Sequence, residues 1–196
     1  MLTIIHSHDL KFSNLYMANL KNSNLLKSNL EFANMESANL QYANLGRTNL
    51  QCSNLMNANL QSASIWESNL QNAYLVSANL QNAYLGRANL QWANLASANM
   101  QNTDLYKANL CNAILDEKTQ FNEKTVLPDA ERMKDKNGHY LIDEDGNPDY
   151  TKYWTTDTDM TRYTDPTHPN FWQPPYLKQA CKSRRPNWVT DEQIVR

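Results

Sequence analysis

Residues 68–87 read SNLQN AYLVS ANLQN AYLGR: four blocks of five, each with a small residue first and Leu third. The same beat runs outward in both directions. From Leu10 to Leu115 an apolar residue falls at every fifth position without a slip, Leu throughout except for Met35, Ile65 and Met100. Two residues before each one, from Ser13 to Ala113, stands Ala, Ser or Thr, and the residue between is usually Asn.

A period of five suits neither regular element. On an α-helix five residues advance a side chain by about 140°, so the leucines would spiral around the axis and bury nothing together. On a straight strand an odd period alternates faces, and half the leucines would meet water. A chain that bends once per block escapes both problems. Each Leu and the small residue two before it then share one inward face by the alternation of extended chain, and the bore holds one large side chain per block.

The outward positions give the number of sides. Among the residues two after each central one, from Met17 to Asn112, the charged ones are Lys27, Arg47, Glu67, Arg87 and Lys107, spaced by twenty. Twenty residues are four blocks, so four sides make one turn and these five residues stack in a column. At a coil spacing of roughly 4.8 Å the leucine run spans about 25 Å.

Units such as Ala18-Asn19-Leu20-Lys21-Asn22 and Ala78-Asn79-Leu80-Gln81-Asn82 resemble those of the pentapeptide-repeat family, cyanobacterial members included. The resemblance covers about residues 8–128 and implies an all-β fold, a right-handed quadrilateral β-helix. Residues 119–128 (TQFNEKTVLP) resemble the way many cyanobacterial members finish, with Phe121 and Val126 at the central positions after a one-residue slip. The chain thus divides into a solenoid, 1–128, and an irregular C-terminal extension, 129–196. Some members of the family are implied to bind DNA gyrase by imitating a duplex, which needs an acidic surface. Between Ser13 and Asn112 this chain sets Glu31, Glu36, Glu67 and Asp104 against Lys21, Lys27, Arg47, Arg87 and Lys107. Near-neutral walls do not copy a duplex with roughly one negative charge per 1.7 Å, so the gyrase-type reading is the disfavoured alternative.

Composition narrows the rest. A formal net charge of -2 argues against a nucleic-acid-coating protein. No apolar run approaches the length of a membrane helix, and residues 1–12 lack the basic and apolar regions of a signal peptide. Cys52, Cys111 and Cys181 are too few and scattered for a disulfide framework or a zinc site, and read as free thiols in a reducing, hence cytoplasmic, compartment. His6, His8, His139 and His168 stand near no evident nucleophile, and Asp135, Asp143 and Asp145 miss the calcium-loop spacing. No catalytic residue, cofactor or metal is expected.

Two faces are monotonous. Lys21, Gln41, Gln61, Gln81 and Gln101 stack on one; Glu31, Gln51, Gln71, Gln91 and Cys111 stack on the other. Both read as amide ladders bonded along the axis. A third face is richer. Its residues after the central position run Leu26, Gly46, Trp66, Gly86 and Tyr106, so Trp66 has a Gly above and below on which its ring can lie flat. Arg47, Glu67 and Arg87 alternate in sign beside it, and Tyr84 adds a ring. Two readings stand: self-packing with cation–π contact, or a protein-binding patch of Arg47, Trp66, Tyr84, Arg87 and Tyr106, since Trp, Tyr and Arg dominate hot spots. The opposite face turns Tyr16, Met56, Tyr74, Val76, Ala96 and Ile114 outward. Such an apolar stripe invites cover, first from the C-terminal extension and otherwise from a second copy, giving a monomer or a weak homodimer.

In the extension, Asn137-Gly138 and Asp145-Gly146 are turn signals around a short strand, His139–Ile142. A short helix at Tyr176–Ser183 and a capping box at Thr190 and Gln193, with Val189 and Ile194 as staple, complete the expectations. A solenoid end exposes unpaired edges, so the extension is expected to cap it.

Overall fold

The computed structural model describes residues 9–142, 146 and 148–176. The expectations at His6, His8, Asp143, Asp145, Cys181, the helix beyond Tyr176 and the capping box lie outside these residues. Parallel bridges join each residue before a central position, from Asp9 to Asn94, to the residue twenty further on: Asn14 to Asn34, Asn54 to Tyr74, Asn94 to Ile114. The coil therefore holds twenty residues, as the charged column implied. Each side is a single bridged residue rather than a long strand, because a corner intervenes in every block.

The corners explain how a chain can turn so often. At each one the small residue donates its N–H back to the Leu carbonyl three before it, as from Ala73 to Leu70 at 3.0 Å. The third residue of each turn has a positive φ, from 54° at Met17 to 63° at Trp92, at every corner from Phe12 to Asn112. This is the type II pattern, yet no Gly occupies that position; Asn, Ser, Lys, Arg and aromatics do, and β-branched residues never. At the exposed corner residue Ser77, replacement by Val is expected to cost about 2 kcal/mol or more, whereas Gly is tolerated. Denaturation midpoints of Ser77→Val and Ser77→Gly check the order.

Asn before each Leu has two tasks. Its side-chain oxygen accepts the N–H two residues on, as Asn94 does from Ala96 at 3.1 Å, steadying the corner. Its amide nitrogen reaches the Asn one coil back, as from Asn49 to Asn29 at 3.2 Å and from Asn109 to Asn89 at 3.1 Å. The glutamine faces form the expected ladders, with Gln41 to Gln61 at 2.8 Å and Gln71 to Gln91 at 2.9 Å. Inside, the leucines from Leu25 to Leu110 and their small partners are buried in one continuous cluster, while Leu10, Leu15 and Leu20 at its start are partly covered.

The register slips twice at the end, not once. Gln120 pairs with Asn99 and Val126 with Asp104, which places Phe121 and Leu127 at the centre. Leu127 joins the core, and Val126 faces outward against Ala130 and Tyr150; the expectation of a central Val126 is corrected. Each of the last two corners takes one extra residue, and a side-chain oxygen replaces the missing backbone carbonyl. Ser97 and Asn102 donate their N–H groups to Asp116 Oδ1 at 2.7 Å and Asn122 Oδ1 at 2.9 Å, where Ser77 and Asn82 use the carbonyls of Ala96 and Gln101. The Ser97 N–H, helped by the Thr119 and Ser97 hydroxyls, draws the Asp116 carboxyl down to about 2.

The extension closes this end. Tyr163, from the single helical turn α1 (Thr161–Thr164), is buried in the leucine cluster. Trp154, Met160 and Trp172 pack on it, and Trp154 stacks on Phe121 with ring centroids 6.1 Å apart. Backbone bonds from Leu127 to Lys152, Trp154 to Thr125 and Asn112 to Thr164 use groups the last coil would leave unpaired. Residues 131–135, 139–142 and 148–151 form a small antiparallel meander, with bridges Lys134–Tyr140, Arg132–Tyr150 and Ile142–Pro148. Gly138 and Gly146, at φ 86° and 82°, sit in its turns, and the expected strand at His139–Ile142 shows as isolated bridges at Tyr140 and Ile142. No helix among the described residues is long and apolar enough to cross a membrane.

The Cys52 side chain is buried against Phe32 and Tyr74, and Cys111 is disulfide-bonded. This corrects the reading of three free thiols and removes the argument for a cytoplasmic compartment built on it.

Candidate functional site

The richest wall holds its charges in a ladder. Arg47 Nε lies 2.9 Å from Glu67 Oε2 and Arg87 Nη1 lies 3.0 Å from Glu67 Oε1. Hydrogen bonding from Arg87, with Arg47 behind it, holds the Glu67 carboxyl below its usual range against the opposing effect of burial. Both arginines are about half exposed, so each pair contributes at most about 1 kcal/mol. The Arg47 guanidinium also lies 4.7 Å from the Trp66 ring centre.

The two glycines make room for two different rings. A Cβ on Gly46 would collide with the Trp66 indole, so this ring lies on Gly46 as expected. A Cβ on Gly86 would meet the Tyr84 ring at 2.9 Å. Gly86 therefore carries the tyrosine two residues before it, not Trp66, and the idea of one ring between two glycines is half right.

Tyr106 is not free. Its ring lies 5.5 Å from that of Tyr150, Lys107 Nζ sits 4.8 Å from it, and Tyr176 donates its hydroxyl to the Lys107 carbonyl at 2.8 Å. The extension thus borders the wall that the sequence offered as a partner site, leaving Arg47, Trp66, Tyr84 and Arg87 for contact. The apolar stripe on the opposite side behaves otherwise. Tyr16 and Ile114 are 53% and 52% exposed, Met56, Val76 and Ala96 are half-buried, and Tyr74 leans on Cys52. The expectation that the extension covers this stripe fails for the described residues. Tyr150 instead docks on the other wall, where Asp104 accepts its hydroxyl and the Tyr106 ring lies beside it.

Between that wall and the meander lies a cleft of about 720 Å³. Ala83, Tyr84, Asp104 and Val126 form its solenoid side; Arg132, Pro148, Tyr150 and Tyr153 form its other side. Tyr150 donates its hydroxyl to Asp104 Oδ2 at 2.6 Å, and the Tyr106 N–H donates to Asp104 Oδ1 at 2.8 Å. Burial pushes the Asp104 carboxyl up in spite of these donors and of nearby Arg132. Burial, and next to it Asp104, also raise the Tyr84 and Tyr150 hydroxyls. Sequence reasoning missed Asp104, Arg132, Tyr150 and Tyr153. One signal pointed to Asp104: it stands where nearly every other block carries Asn.

Several solved structures are similar. HetL, a pentapeptide repeat protein involved in heterocyst differentiation regulation from the cyanobacterium Nostoc sp. strain PCC 7120, is 32% identical, with a TM-score of 0.40. That match covers 64% of each chain, so the present chain spans less than two thirds of HetL. Rfr23, from the cyanobacterium Cyanothece 51142, is 27% identical over 64% of this chain and 84% of its own, with a TM-score of 0.34. QnrB1, a plasmid-mediated fluoroquinolone resistance protein, is 12% identical over 63% of this chain and 72% of its own, with a TM-score of 0.37. Among curated proteins none matches the sequence significantly. A family model for pentapeptide repeats matches eight copies across residues 10–51, 53–91 and 88–117, more than half of the sequence, and the chain belongs to the pentapeptide-repeat family.

Proposed function

We propose that this chain is a non-catalytic scaffold: a right-handed four-sided solenoid over 1–128, braced by the extension 129–196, that binds a protein partner as a monomer or weak homodimer. The carrying observation is the wall of Arg47, Trp66, Tyr84 and Arg87, where two rings pack against glycines beside a stacked ion-pair ladder. Its side chains sit on a backbone tied to the coils on either side, so little ordering entropy opposes binding. The titratable groups nearby have structural tasks: Glu67 bridges two arginines, and Asp104 takes the Tyr150 hydroxyl.

The double variant Trp66→Ala, Arg87→Ala tests this reading. Both residues lie on the wall's outside, so the melting temperature is expected to stay within a few degrees of the parent, while affinity capture from the native organism loses its partner. Capture unchanged together with a large thermal loss would mean that the patch serves only its own packing.

A further inference from the structure

We propose that the cleft between the Tyr84 wall and the meander binds a neutral saccharide. Its volume, about 720 Å³, falls among those of small-molecule sites, roughly 300–1,000 Å³. Charge comes first in choosing the ligand. Asp104 and Glu123 line the cleft with Arg132 and Lys124, two negative groups against two positive, so neither an anion nor a cation meets a complementary field. A neutral ligand does.

The polar groups are the planar, two-pronged kind that match neighbouring hydroxyls, each of which donates and accepts. The Asp104 carboxylate takes one donor on each oxygen and keeps lone pairs for more. Asn82 and Asn102 are linked by a bond of 2.8 Å in which Asn82 accepts, so the Asn82 amide nitrogen keeps both hydrogens among the described residues. The Tyr150 hydroxyl is bound to Asp104, and Arg132 lines the same cleft; the Tyr150–Asp104 bond fixes the polar side before a ligand arrives.

Shape completes the case. The Tyr84 ring packs against Gly86 and is 38% exposed, with Tyr150 and Tyr153 across the cleft. An exposed aromatic ring and hydroxyl-matching groups in one cleft suit a pyranose ring, apolar on its C–H faces and polar around its edge. The site joins two parts of the chain, since Asp104 comes from the solenoid and Tyr150 from the meander. It shares Tyr84 with the proposed protein contact, whose other members, Arg47, Trp66 and Arg87, do not line the cleft.

Calorimetry and saturation-transfer NMR on the full chain decide the matter, with maltose, cellobiose, lactose and laminaribiose as neutral probes and glucuronic acid and glucosamine as charged controls. At least one neutral disaccharide is expected to bind about tenfold or more tighter than either charged sugar. Tyr84→Ala should weaken that binding by about tenfold or more, Tyr84→Phe by less than about twofold. Asn82→Ala, at the exposed rim, should weaken it with the melting curve unchanged, which separates a lost contact from a lost fold. No binding by any of the four disaccharides, equal binding of a charged sugar, or unaltered affinity in Tyr84→Ala and Asn82→Ala would overturn the proposal.

Discussion

Leu75→Asp will leave the chain without a cooperative unfolding transition, and circular dichroism will show loss of the β signal at room temperature. Leu75 is 1% exposed in the middle of the leucine column, with Leu70 and Leu80 on adjacent sides and Leu55 and Leu95 one coil away. Truncation to Ala alone costs about 2–5 kcal/mol for a buried Leu, because the neighbours cannot collapse into the space. Asp adds a carboxyl with no partner in a bore lined by Leu and Ala, and burying such a group unpaired costs several kcal/mol more even when it takes up a proton. Against a typical total stability of about 5–15 kcal/mol, the sum removes the folded state.

The position in the stack sets the size of the loss. In a solenoid each coil is stabilised by its neighbours, so a fault at Leu75 separates two short stacks rather than fraying an end. Leu75→Ala is the graded control, expected to shift the denaturation midpoint strongly while still folding. Gln81→Ala, on the outer amide ladder, should change stability by less than about 0.5 kcal/mol. If Leu75→Asp melts like the parent, the leucines are not the core.

What could be read from the sequence was whatever repeats. The apolar residue at every fifth position and the charged one at every twentieth carry one geometric message many times over, and the leucine column, the coil length and the amide ladders follow from them. Where the repeat degenerates, a single residue decides, and the sequence is ambiguous. Val126 and Leu127 are adjacent and both apolar, so one slip or two could not be distinguished without the backbone pairing of Asp104 with Val126. Tyr84 and Trp66 compete for Gly86, and only side-chain direction settles which ring takes it. The extension docks through pairs that occur once, Tyr150 to Asp104 across 46 residues and Tyr176 to Lys107 across 69. No periodicity announces such contacts, and so the apolar stripe, a pattern visible in sequence, drew an expectation that belonged to a buried carboxylate on the other wall.

Asp129→Ala should release the extension while the solenoid persists. Asp129 stands at the junction, its side chain 5% exposed, and holds three groups of the extension: Lys152 Nζ at 2.7 Å, Arg162 Nη2 at 3.1 Å and the Tyr163 hydroxyl at 2.8 Å. Removing one partner of a buried ion pair strands the others and costs about 3–5 kcal/mol; with Lys152 and Arg162 themselves 48% and 34% exposed, the lower figure applies. The coils before Phe121 make none of these bonds, so limited trypsin digestion should cut the variant after Lys134 or Arg132 and leave a protected N-terminal fragment. Acid should do the same to the parent protein. Burial pushes the Asp129 carboxyl up, but Lys152, Tyr163 and Arg162 outweigh it, and the group ionises below its ordinary value of 3.8. A carboxyl with a depressed folded-state value stabilises fully above the unfolded value and loses that contribution as pH falls through the folded one. Release, followed by the fluorescence of Trp154 and Trp172 as they leave the leucine cluster, is therefore expected below pH 3.8 and not at neutral pH. An extension in Asp129→Ala as resistant to trypsin as the parent's would show that ring packing alone holds it.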